Sequence, residues 1–346
     1  MTRGVHVVMP EGVRDPARPS GGNVYDVRVC DGLAARGWPV REIEAPGAWP
    51  HPDRAALAGL AERVAAAPDG AVVLVDGLVG STAPEVLESL AARVRVVLLV
   101  HMPLDDEREA RALGAADAVV VTSGWAKRWL VGAYRLDPAD VHVAVPGTEP
   151  AALAPRSDDG RRLLAVGPIS RGKGHDTLVA ALDLVDEPWR LELVGSTTVE
   201  PEQAADVACW AAGQDGRVRL SGALSASALA AAYARADLLV HPSRAETYGM
   251  VVAEALARGV PVVASDVGGT REALGMGRSG MPGLLVRAGD ASGLAAALQS
   301  WLTDPALRSR LRAWSAERRS HLPTWDHTLD AVEAVVRSPH LVGANR

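Results

Sequence analysis

Short apolar runs alternate along this chain with longer segments whose apolar residues recur at helical spacing. Runs such as VVLV and VRVVLLV are apolar at successive positions, which is typical of parallel strands buried on both faces. The first part of the chain predicts strands at Val5–Met9, Pro39–Ile43, Ala71–Val75, Val94–Val100, Ala118–Val121 and Val141–Val145. It predicts helices at Asn23–Arg36, Arg54–Ala67 and Pro84–Ala92, the first of them followed by the helix-ending Gly37.

The same alternation restarts beyond residues 146–160, a stretch rich in proline, glycine and charge. We predict a first domain at residues 1–150, a linker at 151–160 and a second domain at 161–320. The second half predicts strands at Leu163–Val166, Arg190–Val194, Val218–Leu220, Leu238–Val240, Val260–Ala264 and Gly283–Val286. It predicts helices at His175–Leu184, Pro201–Ala212, Ala226–Arg235, Met250–Arg258, Ala291–Leu302 and Trp325–Val336. The expected fold is α/β, with two Rossmann-like doubly wound domains that face each other across a ligand-binding cleft.

Charge and composition argue against several kinds of partner. The 346 residues carry 36 basic and 42 acidic side chains, a formal net charge of −6, and neither half has an excess of basic residues. We therefore expect neither nucleic-acid binding nor strong membrane binding. No apolar run reaches the roughly 18 residues of a membrane-spanning helix, and the N-terminus lacks the apolar segment of a signal peptide, so we expect a cytoplasmic protein.

Lysine and cysteine are both scarce. Lys127 and Lys173 are the only lysines among the 36 basic residues, which gives weight to the position of each. Cys30 and Cys209 lie within predicted helices and lack the spacing of zinc ligands. We predict that both are buried thiols in a reducing compartment.

A polar loop between a strand and a helix carries the first candidate site, in the segment HPSRAETYGMVVAEALARG. Gly249 allows a tight turn before a helix that begins near Met250, and the exposed N–H groups of a helix start bind anions. Glu246 lies in the loop and Glu254 lies on the helix, and a carboxylate that accepts from two vicinal hydroxyls can hold a ribose or a sugar ring. The alternative is a surface glutamate and a helix glutamate that the helix dipole favours.

A glycine-rich turn, AVGPISRGKGHD, carries the second candidate site. Arg171 offers a planar fork and Lys173 a point charge beside free backbone amides, which suits a diphosphate. Gly167, Gly172 and Lys173 fit the P-loop pattern, but Gly174 stands where a serine or threonine should hold Mg²⁺. The alternative for Lys173 is a solvated turn lysine.

Three weaker candidates lie in the first half. Gly21 and Gly22 precede the first helix and would let a ligand approach the backbone, although a plain turn explains them equally well. His101 ends an apolar strand, where the alternative is a structural histidine with all its hydrogen bonds satisfied. Asp76 ends another strand and is an acceptor-side candidate or only a helix cap.

The segment from Pro242 to Glu272 resembles the signature of glycosyltransferase family 4, in which E-x7-E follows P-S and precedes G-x-P-V-V-A-S and G-G-x-x-E. The resemblance implies a GT-B fold and retaining transfer of a sugar from a nucleotide-diphosphate sugar to an acceptor, with no metal and no cofactor. It implies that Glu254 holds the donor ribose and that Glu246 contacts the transferred sugar. The implied backbone contacts near the sugar and phosphates are Tyr248, Gly249, Met250 and Val251.

The same resemblance implies roles for the other candidates. Lys173 and Arg171 would neutralise the leaving diphosphate, with Arg171 in place of the family arginine because Pro168 occupies the usual arginine position. Gly21 and Gly22 would lie against the donor phosphates and the acceptor, and His101 beside the donor sugar. The second domain would bind the donor and the first the acceptor. The last helix, within residues 321–346, would cross back to the first domain.

Several catalytic patterns are absent from the sequence. It contains no D-x-D, H-E-x-x-H or G-x-S-x-G, which argues against a metal-diphosphate clamp, a zincin and a nucleophile-elbow hydrolase. Two alternatives stay open: a GT-B-type sugar phosphorylase or sugar-nucleotide epimerase, and a P-loop-like NTPase.

Overall fold

The computed structural model describes residues 4–15 and 20–338, which form two compact units. Of these residues, 4–15, 20–147 and 324–338 belong to the first unit, and 148–323 belong to the second. The predicted linker, residues 151–160, has neither helix nor strand and lies in the second unit. There the Ala154 N–H donates to the carbonyl of Arg258.

The first unit is built on a six-stranded parallel sheet with the strand order β2-β1-β3-β4-β5-β6. Its strands are β1 Val5–Pro10, β2 Val40–Ala45, β3 Val72–Asp76, β4 Arg95–Val100, β5 Ala118–Val121 and β6 Val141–Val143. Its helices are α1 Gly21–Ala35, α2 Arg54–Ala65, α3 Gly77–Gly80, α4 Pro84–Ala91, α5 Glu107–Ala115, α6 Gly124–Tyr134 and α14 Trp325–Arg337. The observed strands agree with the predicted ones to within two residues at each end.

Both faces of this sheet are covered, as the unalternated apolar strands predict. Val73 and Val75 of β3 point into one core cluster, and Val72 and Leu74 point into the other, because successive side chains of a strand face opposite ways. Every residue of β3 and β4 is buried. Because both faces are covered, a ligand can reach this sheet only at the ends of its strands.

Helix α14 packs against α1 within the first unit. Val332 joins the core, and a Cβ placed at Gly32 would lie 2.4 Å from Leu329 Cδ1, so the small residue at position 32 permits the close approach. The Trp38 indole N–H donates to Glu333 at 2.9 Å. Residues 339–346 of the predicted terminal segment lie outside the described residues.

The second unit is also a six-stranded parallel sheet, with the order β12-β11-β10-β7-β8-β9. Its strands are β7 Arg162–Val166, β8 Arg190–Val194, β9 Val218–Gly222, β10 Leu238–His241, β11 Val262–Ser265 and β12 Gly283–Val286. Its helices are α7 His175–Leu182, α8 Pro201–Ala212, α9 Ala226–Arg235, α10 Met250–Ala257, α11 Thr270–Leu274, α12 Ala291–Thr303 and α13 Pro305–Arg318, followed by a 3-10 turn at Arg319–His321. Counted within the unit, this order is the 3-2-1-4-5-6 arrangement of dinucleotide-binding sheets.

Several sequence-based expectations need correction. Cys30 is buried as predicted, but Cys209 is exposed, because α8 buries the face formed by Gln203, Ala204 and Val207. Helix α1 begins at Gly21 rather than Asn23, which places the paired glycines in its first turn. The predicted set of helices also lacks α3, α5, α6, α11 and α13. In residues 4–15 and 20–338, no helix is long and apolar enough to cross a membrane.

Candidate functional site

The strand order of the second unit brings two candidate loops to one edge. Strands β7 and β10 are neighbours, with Leu163 opposite Leu238, although α7, β8, α8, β9 and α9 separate them along the chain. Connections leave in opposite directions from such a switch point, and a crevice opens beyond the carboxyl ends of the two strands. Residues 167–174 follow β7 and residues 242–249 follow β10. Both predicted sites of the second half therefore lie at one switch point.

Three side chains meet at this edge. The Lys173 Nζ lies 2.9 Å from Glu246 Oε2, and the His241 Nε2 lies 3.1 Å from the same oxygen. Lys173 retains 28% of its side-chain exposure, whereas His241 retains only 4%. Lys173 and Glu246 were predicted as site residues. His241 was missed, and its only sequence signal is its place as the last residue of β10, directly before Pro242.

The neighbours of Glu246 hold it as a carboxylate. Burial by itself would raise the pKa of Glu246, but the hydrogen bond with His241 and the positive charge of Lys173 lower it to about 2. The side chain is therefore an acceptor of hydrogen bonds at every pH near neutrality.

The turn at Gly268 and Gly269 supports the Glu246 loop from behind. The Gly269 N–H donates to the Glu246 carbonyl at 2.9 Å. A Cβ at Gly268 would lie 1.7 Å from the Glu246 carbonyl oxygen, and one at Gly269 would lie 2.0 Å from the Thr247 carbonyl oxygen. Only glycine fits either position. This contact gives the G-G-x-x-E turn a physical role in holding the loop.

Helices α7 and α10 both begin at this edge on a left-handed glycine. Gly174 has φ 71° and Gly249 has φ 101°, and neither helix has a side-chain cap among the described residues. The first N–H groups of a helix, here those of Met250 and Val251, have no partner within the helix and favour anions. The phenol ring of Tyr248 is buried, so this residue offers its backbone rather than its side chain.

Glu254 lies one turn into α10, and its carboxylate is held by a different partner. The Tyr233 hydroxyl donates to Glu254 Oε2 at 2.8 Å. Burial raises the pKa of Glu254, and the hydrogen bond from Tyr233 offsets part of that effect. Tyr233 was not predicted as a site residue, and nothing in its helical context distinguishes it from an ordinary core tyrosine.

Arg171 is not brought into the group formed by Lys173, His241 and Glu246. Its backbone N–H donates to Glu200 Oε2 at 3.1 Å, and its carbonyl accepts from Arg244 at 3.0 Å. These contacts fix the turn and leave the residue exposed. Its replacement of the family arginine stays a prediction.

The candidates of the first unit also gather at a switch point, here between β1 and β3. Gly21 and Gly22 begin the helix after β1, Asp76 ends β3, and His101 follows β4. A Cβ at Gly22 would lie 3.3 Å from His101 Cδ2, so the small residue lets the helix start lie over the imidazole ring. The structure therefore brings all four together at the carboxyl edge of the first sheet.

A buried aspartate that was not predicted from the sequence completes this group. Asp26 Oδ1 lies 2.7 Å from His101 Nε2, and Asp76 Oδ2 lies 3.5 Å from the same nitrogen. Burial alone would lower the pKa of His101, but the charge and hydrogen bond of Asp26 raise it to about 9. Asp76 also caps α3, because its Oδ1 accepts from Leu78 and Val79. The only sequence signal for Asp26 is an acidic residue amid the apolar positions of an otherwise core-facing helix.

The three side chains of Asp26, Asp76 and His101 could also hold a metal ion. Each offers one ligand atom, and these atoms lie within 4.8 Å of one another. Carboxylate and imidazole groups are common metal ligands. The expected independence from metals therefore stays a prediction.

Residues 153–318 match the family described as Glycosyl transferases group 1. Among curated proteins, the chain is similar to a D-inositol 3-phosphate glycosyltransferase of Kineococcus radiotolerans, with 35% identity over 257 residues that cover 66% of this chain and 59% of that protein. D-inositol 3-phosphate glycosyltransferase 1 of Catenulispora acidiphila is 32% identical over 252 residues, with coverage of 66% and 59%. The match thus spans less than two thirds of the length of these relatives.

Solved structures resemble the chain over nearly its whole length. Sucrose-phosphate synthase from Thermosynechococcus elongatus has a TM-score of 0.79 at 24% identity, covering 97% of this chain and 98% of the other. HepE from Anabaena, in complex with UDP and glucose, has a TM-score of 0.74 at 17% identity, covering 97% and 100%. At these identities the likeness shows a shared fold of two Rossmann-like domains.

Proposed function

We propose that this chain is a retaining, metal-independent glycosyltransferase, because residues 153–318 match the group 1 glycosyl transferases and the chain has the GT-B fold. It moves a sugar from a nucleotide-diphosphate sugar to an acceptor. The observation that carries the proposal is the meeting of Lys173 with Glu246 beside two uncapped helix starts at a switch point. This edge offers a cation and free amides to a diphosphate, and a carboxylate to sugar hydroxyls.

The donor binds in the second unit. Glu254 accepts from the ribose hydroxyls, and Tyr233 orients its carboxylate. The N-termini of α7 and α10 and the Lys173 ammonium receive the diphosphate. Glu246, held as a carboxylate, accepts from hydroxyls of the transferred sugar and cannot supply a proton near neutral pH.

The reaction breaks the bond between the anomeric carbon and the diphosphate oxygen. That oxygen takes the bonding electron pair, and Lys173 with the helix amides stabilises the resulting charge. The acceptor oxygen attacks the same face of the oxocarbenium-like sugar and forms the new glycosidic bond. Its proton passes to the leaving phosphate oxygen, so no protein nucleophile is needed and the anomeric configuration is retained.

The acceptor binds in the first unit, at the edge formed by Gly21, Gly22 and His101. The names of the curated relatives make a polyol phosphate the first acceptor class to test, and the HepE complex with UDP makes UDP-sugars the first donor class. Both choices are proposals for this chain. They set the order of an acceptor and donor screen.

A P-loop NTPase is disfavoured by the backbone at Gly174. A Cβ at this position would lie 2.0 Å from the Pro242 carbonyl oxygen. The turn therefore has no room for the serine or threonine that would hold Mg²⁺ in a P-loop. A sugar phosphorylase or epimerase would use the same donor-side chemistry. Analysis of the reaction products distinguishes these enzymes from a glycosyltransferase.

Thermal shift with UDP-, GDP-, ADP- and dTDP-sugars tests the donor site. At least one of these should raise the Tm of the wild-type protein and fail to raise that of Glu254→Ala to the same extent. Glu202→Ala, at an exposed position of α8, is the matched control and should respond like the wild type. A screen in which no nucleotide sugar moves the Tm of the wild type would count against the proposed donor site.

A further inference from the structure

We propose that Asp26 is a positioning residue that fixes the orientation of the His101 ring. The inference rests on the proposed function only where it assigns His101 to sugar transfer. The contacts among the three side chains stand independently of that assignment. No catalytic or binding role for Asp26 follows from the sequence resemblance.

The geometry leaves little freedom to the His101 ring. Asp26 retains 1% and Asp76 3% of their side-chain exposure, and His101 retains 15%. The Tyr25 ring meets the imidazole edge-on at a centroid distance of 5.0 Å, and Gly22 lies against its Cδ2. The ring is therefore packed by α1 and hydrogen-bonded to the same helix through Asp26.

The contact between the Asp26 and His101 side chains joins α1 to the residue that follows β4. Asp26 Oδ1 lies 2.7 Å from His101 Nε2, and Asp76 Oδ2 lies 3.5 Å from the same nitrogen. Asp76 Oδ1 accepts two backbone N–H groups, which holds this carboxylate in place beside the ring.

The neighbouring charges act on the same ring. Burial alone would lower the pKa of His101, but the charge and hydrogen bond of Asp26 raise it to about 9. Among the described residues, Asp26, Asp76 and the phenol of Tyr25 are titratable groups that lie against His101. Removing the Asp26 charge should therefore lower the pKa of His101.

NMR of protein labelled with 15N-histidine tests this directly, with the His101 resonances assigned from the His101→Gln variant. In the wild type, His101 should stay an imidazolium until about pH 9. Asp26→Asn keeps the side-chain volume and removes the charge, and the His101 pKa should then fall to about 7 or lower. Asp31→Asn is the control, because Asp31 lies on the same helix but pairs with exposed Arg14. It should leave His101 unchanged.

Sugar transfer provides the second measurement. Asp26→Asn should lower kcat by about 10- to 100-fold with little change in KM, the size expected when the partner that orients a functional histidine is lost. In a His101→Gln background, adding Asp26→Asn should change kcat less than about twofold, since the two residues act as one unit.

The outcomes separate the two ideas. A wild-type His101 that titrates near its ordinary pKa of 6.5, or one that Asp26→Asn does not move, overturns the role of Asp26 whatever the activity. Selective broadening of His101 by about one equivalent of Mn²⁺ would make the cluster a cation site and overturn the positioning role of Asp26. If His101 behaves as expected but no nucleotide sugar is a donor, the proposed function fails and the role of Asp26 stands.

Discussion

The Lys173 ammonium and a Glu246 carboxylate oxygen are 2.9 Å apart, although the two residues are separated by 73 positions in the sequence. Neighbouring strands β7 and β10 produce this contact, because each feeds one of the two loops. A bound diphosphate would compete with Glu246 for the ammonium, whereas sugar hydroxyls would bind the carboxylate. On donor binding we therefore expect Lys173 to contact the diphosphate and Glu246 to contact the sugar.

Removing the ammonium should affect the chemical step most. Lys173→Ala should lower kcat by about 100- to 1,000-fold, the usual cost of removing a group that stabilises charge in the transition state. Steady-state kinetics with the best donor of the thermal-shift screen measures this. Lys127→Ala, at the other lysine, is the control and should stay within about twofold of the wild type. Equal losses in the two variants would contradict the assignment.

His241 should act through Glu246. His241→Ala removes a hydrogen bond at 3.1 Å and leaves a space beside the carboxylate. We expect the affinity for the sugar donor to fall by about tenfold, since one hydrogen bond to a charged group is worth about 1.5 kcal/mol or more. The affinity for the nucleoside diphosphate without sugar should hardly change. Calorimetry with both ligands checks the difference, and an equal loss for both would argue against this role.

Replacing a glycine by alanine should have opposite effects in the turn that supports the Glu246 loop and on the open surface of α2. Gly269→Ala places a Cβ 2.0 Å from the Thr247 carbonyl oxygen and should lower the free energy of unfolding by about 2 kcal/mol or more and abolish most of the activity. Gly59→Ala adds a methyl group in open space on α2 and should stabilise the protein by about 0.5–1 kcal/mol. Urea unfolding compares the two. If Gly269→Ala left the free energy of unfolding and the activity unchanged, the turn would be able to shift and would not be needed to hold the loop.

Tyr233 should affect donor binding through Glu254. Tyr233→Phe removes the 2.8 Å hydrogen bond, so the pKa of Glu254 should rise further and the Kd for the nucleotide should increase by about 5- to 15-fold. Tyr134→Phe removes a hydrogen bond to buried Glu109 in the first unit and is the control. It should reduce stability without changing donor affinity, as titration calorimetry would show.

The His101 cluster makes stability depend on pH in a defined direction. The pKa of His101 is raised from 6.5 to about 9 in the folded protein, so its contribution is complete below pH 6.5 and is lost as the pH rises through 9. The free energy of unfolding should therefore decline by up to about 3 kcal/mol across this window. Asp76, whose pKa is also raised, contributes with the same sign. Urea titrations of the wild type and of His101→Gln measure the difference, and equal pH slopes would refute it.

Much of the fold could be predicted because its signals are local. Short apolar, β-rich runs predicted all twelve strands to within two residues, and the restart of the pattern indicated two units. Helix α13, which is missing from the predicted set, has its apolar stripe diluted by arginines. Cys209 was assigned to the interior because a helical pattern does not state which of its faces meets the sheet.

The sequence by itself determined the two parallel sheets and the places where Lys173, Glu246, Glu254 and His101 leave strands or enter helices, since periodicity and turn residues act over a few positions. Only the tertiary structure decided which of these groups touch. The order of the strands brings His241 and Lys173 within hydrogen-bonding distance of one oxygen of Glu246. It likewise brings Asp26 of α1 to His101. Such contacts join residues 5 to 75 positions apart through packing across a sheet edge, and no local pattern records them.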